Sequence, residues 1–190
     1  MHTSHLLPLL VASAALLPAA EPASLLSNGD FEQVVEGKGP DGWTMPAGAS
    51  LEVEGKNHFL RLTAAGPSTQ VSPYREVATA GAKAVTISYR VRYAGIKRGA
   101  QPWHDARVVM EAKDADKKPI KGALPHPFFT GSSSGWVERS VSRALPAEAV
   151  TISIMPALFM VEAGTFDIDD IRIVPIDLAK IPAEAPKPGK

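Results

Sequence analysis

Val85-Thr86-Ile87-Ser88-Tyr89-Arg90-Val91-Arg92-Tyr93 sets the pattern for the whole chain. Val85, Ile87, Tyr89, Val91 and Tyr93 fall on one side of an extended backbone, and Thr86, Ser88, Arg90 and Arg92 on the other. Side chains of a strand point alternately to opposite faces, so a period of two sustained this long predicts a half-buried β-strand. Residues 107–112 repeat the pattern, with Val108 and Met110 opposed by Arg107 and Glu111. Shorter β-patterned stretches follow at 50–53, 59–63, 74–77, 136–143, 150–156 and 169–174. The 15 glycines and 17 prolines punctuate these stretches densely, and no segment carries a sustained helical period; 146–149 has room for one helical turn. Many short strands between frequent turns predict an all-β fold, a two-sheet antiparallel β-sandwich of jelly-roll type.

A chain of 190 residues suits one domain with a substantial core. Lys plus Arg number 20 and Asp plus Glu number 20, so no bulk field draws the protein to nucleic acid or an anionic membrane. The absence of cysteine excludes disulfides, thiolate catalysis, Cys-type zinc sites and lipoprotein acylation. Residues 6–20 are apolar and uncharged but interrupted by Pro8 and Pro18. That length fits the h-region of a signal peptide cleaved near Ala19–Ala23 and is too short for a membrane span. The expected organisation is a leader at 1–23, a sandwich at 24–175 and a Pro/Lys/Ala-rich tail at 176–190. Such a chain is secreted or periplasmic, with no membrane insertion after cleavage.

Two motifs bracket the strands: Asn28-Gly29-Asp30-Phe31-Glu32 and Gly164-Thr165-Phe166-Asp167-Ile168-Asp169-Asp170-Ile171. With Asp41-Gly42-Trp43, Gly135-Trp136 and Leu145-Pro146 between them, they resemble carbohydrate-binding modules of families 4, 9 and 22, over roughly Leu25 to Pro175. The resemblance implies a galactose-binding-like jelly roll in which a carboxylate of the first strand and one of the last hold a structural calcium. These positions match Glu32 and Asp169 or Asp170. Calcium takes six to eight oxygens, and backbone carbonyls near Gly29 are available to complete the set. The alternation also slips between Phe166, Ile168 and Ile171, Ile173, which predicts a β-bulge at Asp169-Asp170. The competing reading gives these acids to turns or to pairing with Arg172.

No catalytic constellation appears. A glycosidase needs two carboxylates facing across a cleft, and Glu111 has no distinctive partner. His58, His104 and His126 lack metal-ligand spacing, His104-Asp105 reads as a surface turn, and Ser132–Ser134 lie in a Gly-flanked loop. Sugar binding asks for aromatic faces that stack on pyranose C–H groups and for forked donors and carboxylates that meet hydroxyls. Trp103 and His104, in the loop 95–105 that joins two strands expected to be adjacent, supply one such group. Phe128, in the Pro-stiffened stretch 124–130, supplies another. Arg90, Arg92, Arg107 and Glu111 are expected to line the sheet between these loops, while Trp43 and Trp136 are assigned to the core. Aromatics make up only 6% of the chain, which disfavours a flat crystalline glycan and favours a cleft for a soluble strand. The expected partner is a poly- or oligosaccharide bound without catalysis. The competing expectations are a structural or protein-interaction domain meeting an envelope protein partner, and a glycan-cleaving enzyme with an atypical site.

Overall fold

The computed structural model describes residues 23–181, so the expected leader, apart from its last residue, and the tail beyond 181 lie outside the described residues. Twelve strands occur among the described residues: β1 Val34–Val35, β2 Gly39–Pro40, β3 Ala49–Glu54, β4 Asn57–Thr63, β5 Thr69–Val71 and β6 Arg75–Ala78, then β7 Ala84–Lys97, β8 Ala106–Lys113, β9 Phe128–Phe129, β10 Val137–Ala144, β11 Thr151–Val161 and β12 Ala163–Pro175. Apart from a small β1-β2 ribbon they form two sheets, one ordered β10-β7-β12-β4-β3 and the other β5-β11-β8-β9 with β6 also pairing to β11. Every pairing is antiparallel. The molecule is thus the two-sheet jelly roll that the alternation predicts.

The core forms where the apolar stripes meet. Val85, Ile87 and Val91 of β7 face Val108 and Met110 of β8 and Ile152, Ile154 and Leu158 of β11, all at most 1% exposed. Each such side chain contributes roughly 1.5–3 kcal/mol when fully buried. Phe129 and Phe166 stack at 5.3 Å between ring centroids and Tyr93 joins them, closing one end. Trp43 is 6% exposed, packs on Phe31 at 5.1 Å and donates its indole N–H to the Asn28 carbonyl at 3.0 Å.

Successive strands often change sheets. β7 belongs to the first sheet and β8 to the second, so the loop 98–105 spans the mouth of the sandwich and does not join neighbours in one sheet. This corrects the expectation that Arg90, Arg92, Arg107 and Glu111 share a surface. Both strands turn their apolar stripe inward, so their polar stripes point away from each other.

The ends of the sandwich meet as expected, although the N-terminal motif docks as irregular chain. Leu25 N–H donates to the Ile173 carbonyl and Ile171 N–H to the Gly29 carbonyl, at 2.7 and 2.9 Å. The bulge in β12 is present: the register shifts between Asp169 and Arg172, and Asp170 adopts a positive φ of 51°. The extra residue restores Ile171 and Ile173 to the core face.

Candidate functional site

The outer face of the second sheet collects Trp103, His104, Arg107, Glu111 and Phe128. β8 presents Arg107, Val109 and Glu111 outward, opposite Ala157, Met155 and Ser153 of β11. Ser153 in turn lies opposite Glu76 of β6, and Phe128 of β9 opposite Arg107. Ser153 and Ala157 face away from the core, yet they are only 3% and 0% exposed, because longer side chains on both flanking strands overtop them. Ser153 and Ala157 are low points on either side of Met155 in a strip along β8 and β11, the trough.

At one end the loop 98–105 builds an aromatic and cationic rim. Arg107 donates through Nε to the Asp105 carboxylate at 2.7 Å and through Nη2 to the Trp103 carbonyl at 2.6 Å, and its guanidinium lies 5.8 Å from the Phe159 ring centre. The His104 ring stands edge-on to both Trp103 and Phe159, at 5.9 and 6.1 Å. Trp103 is therefore held from behind and remains 53% exposed, while Phe128 is 59% exposed beneath Arg98. Asp105, read from sequence as part of a surface turn, is instead 1% exposed; burial pushes its carboxyl up despite the opposing Arg107. Only an inward-facing position beside the strand start would have revealed that role, and no local pattern marks it.

At the other end Glu76 accepts from Thr151 and pairs with Lys113, which also donates to the Tyr74 hydroxyl at 3.0 Å. Burial works to raise Glu76, but Lys113, Tyr74 and Thr151 together hold it below the usual carboxylate range. Between the two ends, Glu111 and Ser153 have no side chain hydrogen-bond or ion-pair partner among the described residues. Their oxygens are therefore uncommitted.

Arg90 and Arg92 stand on the opposite side of the molecule, on the outer face of the first sheet. Arg61 makes a bidentate pair with Asp167 at 2.7 and 2.8 Å, and Arg92 reaches the same carboxylate at 3.0 Å and Glu54 at 3.2 Å. Arg90 donates to Asp169 and to the Asn57 side-chain carbonyl. Trp136, expected in the core, is instead half-buried here and donates to Glu54; Arg90 and Arg92 lie 4.8 and 4.6 Å from its ring centre. It abuts Phe59 edge-on at 5.4 Å. Alternation alone cannot separate a core aromatic from one covered by arginines on the outer face, and Trp136 and Phe59 are of the second kind.

The acids expected to share calcium do not converge. Glu32 is held by His58, accepting its backbone N–H at 2.8 Å with Nδ1 at 2.6 Å, and that pairing lowers its pKa. Asp169 accepts from Asn57 at 2.8 Å, from Arg90 and from the Asp170 backbone N–H. Asp170 lies 2.9 Å from Arg90 Nε. Among the described residues no group of three or more His, Asp or Glu side chains is placed to hold a metal ion. This donor set, already bound to cations and amides, does not fit calcium.

Neither a protein-family model nor a curated protein sequence matches the chain. Solved structures do resemble it in shape. A CBM4 module aligns over 79% of this chain and 99% of its own, with 17% identity and a TM-score of 0.54. A family 61 carbohydrate-binding module in complex with β-1,4-galactotriose aligns over 80% and 99%, with 11% identity and a TM-score of 0.53. The enzymatically active domain of bacteriophage CBA120 tailspike protein 4 aligns over 80% of this chain, with 9% identity and a TM-score of 0.58, but this chain spans only 21% of that one. At such identities the likeness carries the fold and nothing finer: the chain is a jelly roll of the type found in carbohydrate-binding modules.

Proposed function

We propose that the protein is an exported, non-catalytic domain that binds a poly- or oligosaccharide in the trough along β8 and β11. One observation carries this reading: the strip bears the sheltered Ser153 and the flanking Glu111, both uncommitted, and ends at the exposed rings of Trp103 and Phe128. Aromatic rings offer a stacking surface for the C–H face of a pyranose, and a free carboxylate beside a hydroxyl accepts and donates to its hydroxyl groups. Jelly-roll neighbours that are carbohydrate-binding modules support the same reading. Export rests on the leader-like residues 6–20.

Two carboxylates, Glu111 and Glu76, flank Ser153 in the trough. Glycoside hydrolysis needs one such group kept protonated as general acid. Lys113 holds the Glu76 carboxyl below the usual carboxylate range, so Glu76 does not serve as that acid. Affinity electrophoresis through gels containing xylan, β-glucan, galactan or pectin tests the proposal. Retardation by one polysaccharide, lost in Trp103→Ala and in Glu111→Ala, is expected. Unretarded migration of the wild type on every gel overturns it, and release of reducing sugar from a bound glycan overturns the non-catalytic part.

A further inference from the structure

An open cavity lies on the sheet face opposite the trough. It is an open basin of about 550 Å³ across β10, β7 and β12. Ser88 and Ser140 sit directly opposite each other and form its floor. Glu138 faces Arg90, Arg90 Nε lies 2.9 Å from Asp170, and Arg172 stands beside Ser88, so these four residues ring the floor.

The basin follows from two sequence features. Small hydroxyl residues at facing positions of β7 and β10 leave a gap between longer side chains. The bulge then turns Asp170 out of the ladder and bends β12 away from β7 at that level. Arg90 is fixed from beneath by Asp169, Asn57 and the Trp136 ring, so its wall is rigid before any ligand arrives. Pre-organised walls reduce the entropic cost of binding. The Ser88 and Ser140 hydroxyls are uncommitted among the described residues.

The lining selects the ligand class. An anion meets Glu138 and Asp170, and a cation meets Arg90 and Arg172, so either pairs with some of the lining and is repelled by the rest. Alternating forked donors, carboxylates and hydroxyls suit an uncharged polyhydroxylated ligand, which both donates and accepts at every position. We infer that this basin is a second carbohydrate site, taking a neutral glycan, so that the protein carries glycan sites on both outer faces of its sandwich. The inference shares its ligand class with the proposed trough but none of its residues.

Isothermal titration calorimetry with xylohexaose, cellohexaose and β-1,4-galactotriose, on wild type, Trp103→Ala and Ser140→Trp, tests it. Glu138→Ala provides a milder basin variant, and melting temperatures confirm that all fold. Two sites per chain are expected for at least one oligosaccharide. Trp103→Ala should weaken one site tenfold or more, and Ser140→Trp and Glu138→Ala should weaken only the other. A single site that responds to Trp103→Ala and ignores both basin variants overturns the second site and leaves the trough standing. A single site that responds only to the basin variants supports the basin and removes the trough. No binding of any probe at millimolar concentration overturns the basin as a neutral-glycan site.

Discussion

Trp103 and Asp105 sit two positions apart in one loop and illustrate opposite uses of Arg107. The Trp103 carbonyl is held by the guanidinium while its ring stays outside, so truncating that ring removes contact surface without opening the core. Trp103→Ala should leave the melting temperature unchanged and weaken glycan affinity by about 2 kcal/mol, the scale of a binding hot spot. Equal loss of stability and affinity would show that the ring is a structural prop. Asp105 carries a pH signature instead. Its carboxyl is raised by burial, against the pull of Arg107, so the folded chain takes up this proton before the unfolded chain does. A raised folded value means that the group's contribution is complete below the unfolded value of about 3.9 and is lost as pH rises through the folded one. Asp105→Asn keeps an acceptor for Arg107 and removes the titration. The melting temperature of wild type minus that of the variant should therefore fall with rising pH across this window and then level off. A difference that stays flat from pH 3 to pH 7 would remove Asp105 from the pH account.

At the scale of strands, the period-two pattern disclosed nearly all that packing needs. The stripe of β7 is buried from Val85 to Val91 as read, and the phase slip at Asp169-Asp170 is a true bulge. Which sheet each strand joins was not legible, because alternation gives the inward side of a strand and says nothing about its neighbours. That gap is why Arg90 and Arg92 were grouped with Arg107, and why only the residues of one face assemble into the trough. The arginines of the other face serve β12. Asp167 is 4% exposed in its side chain and ties Arg61 of β4 and Arg92 of β7 across the central strand. Removing one partner of a buried ion pair costs roughly 3–5 kcal/mol, and Asp167→Ala should fall near the lower end because both guanidinium groups reach solvent. Urea melts measure this; a loss below about 1 kcal/mol would mean that water replaces the carboxylate easily. Gly29 fixes the other join. A Cβ there would stand 1.9 Å from the Ile171 carbonyl oxygen, so Gly29→Ala should push the N-terminal segment off β12 and cost roughly 1–3 kcal/mol.

For the whole molecule, the question is what closes a cysteine-free sandwich where its ends meet. A dication would do so by neutralising several carboxylates at once, and the sequence placed Glu32, Asp169 and Asp170 at the right ends of the chain for that role. The structure gives each its own partner: His58 for Glu32, and Arg90 with Asn57 for the bulge. Arg90 also rests on Trp136, so one guanidinium links β7, β12, the β4 start and the segment before β10. Anything that binds only the folded state raises its melting temperature by mass action, and removing it lowers that temperature. A chain closed by its own side chains should melt at the same temperature in excess chelator and in millimolar calcium. Arg90→Leu should lower the melting temperature in both solutions equally, because it leaves the fully buried Asp169 without its charged partner. Stabilisation of the wild type by calcium over magnesium would instead show that these carboxylates rearrange around an ion, and would return Glu32 and Asp169 to the role that their positions in the sequence suggest.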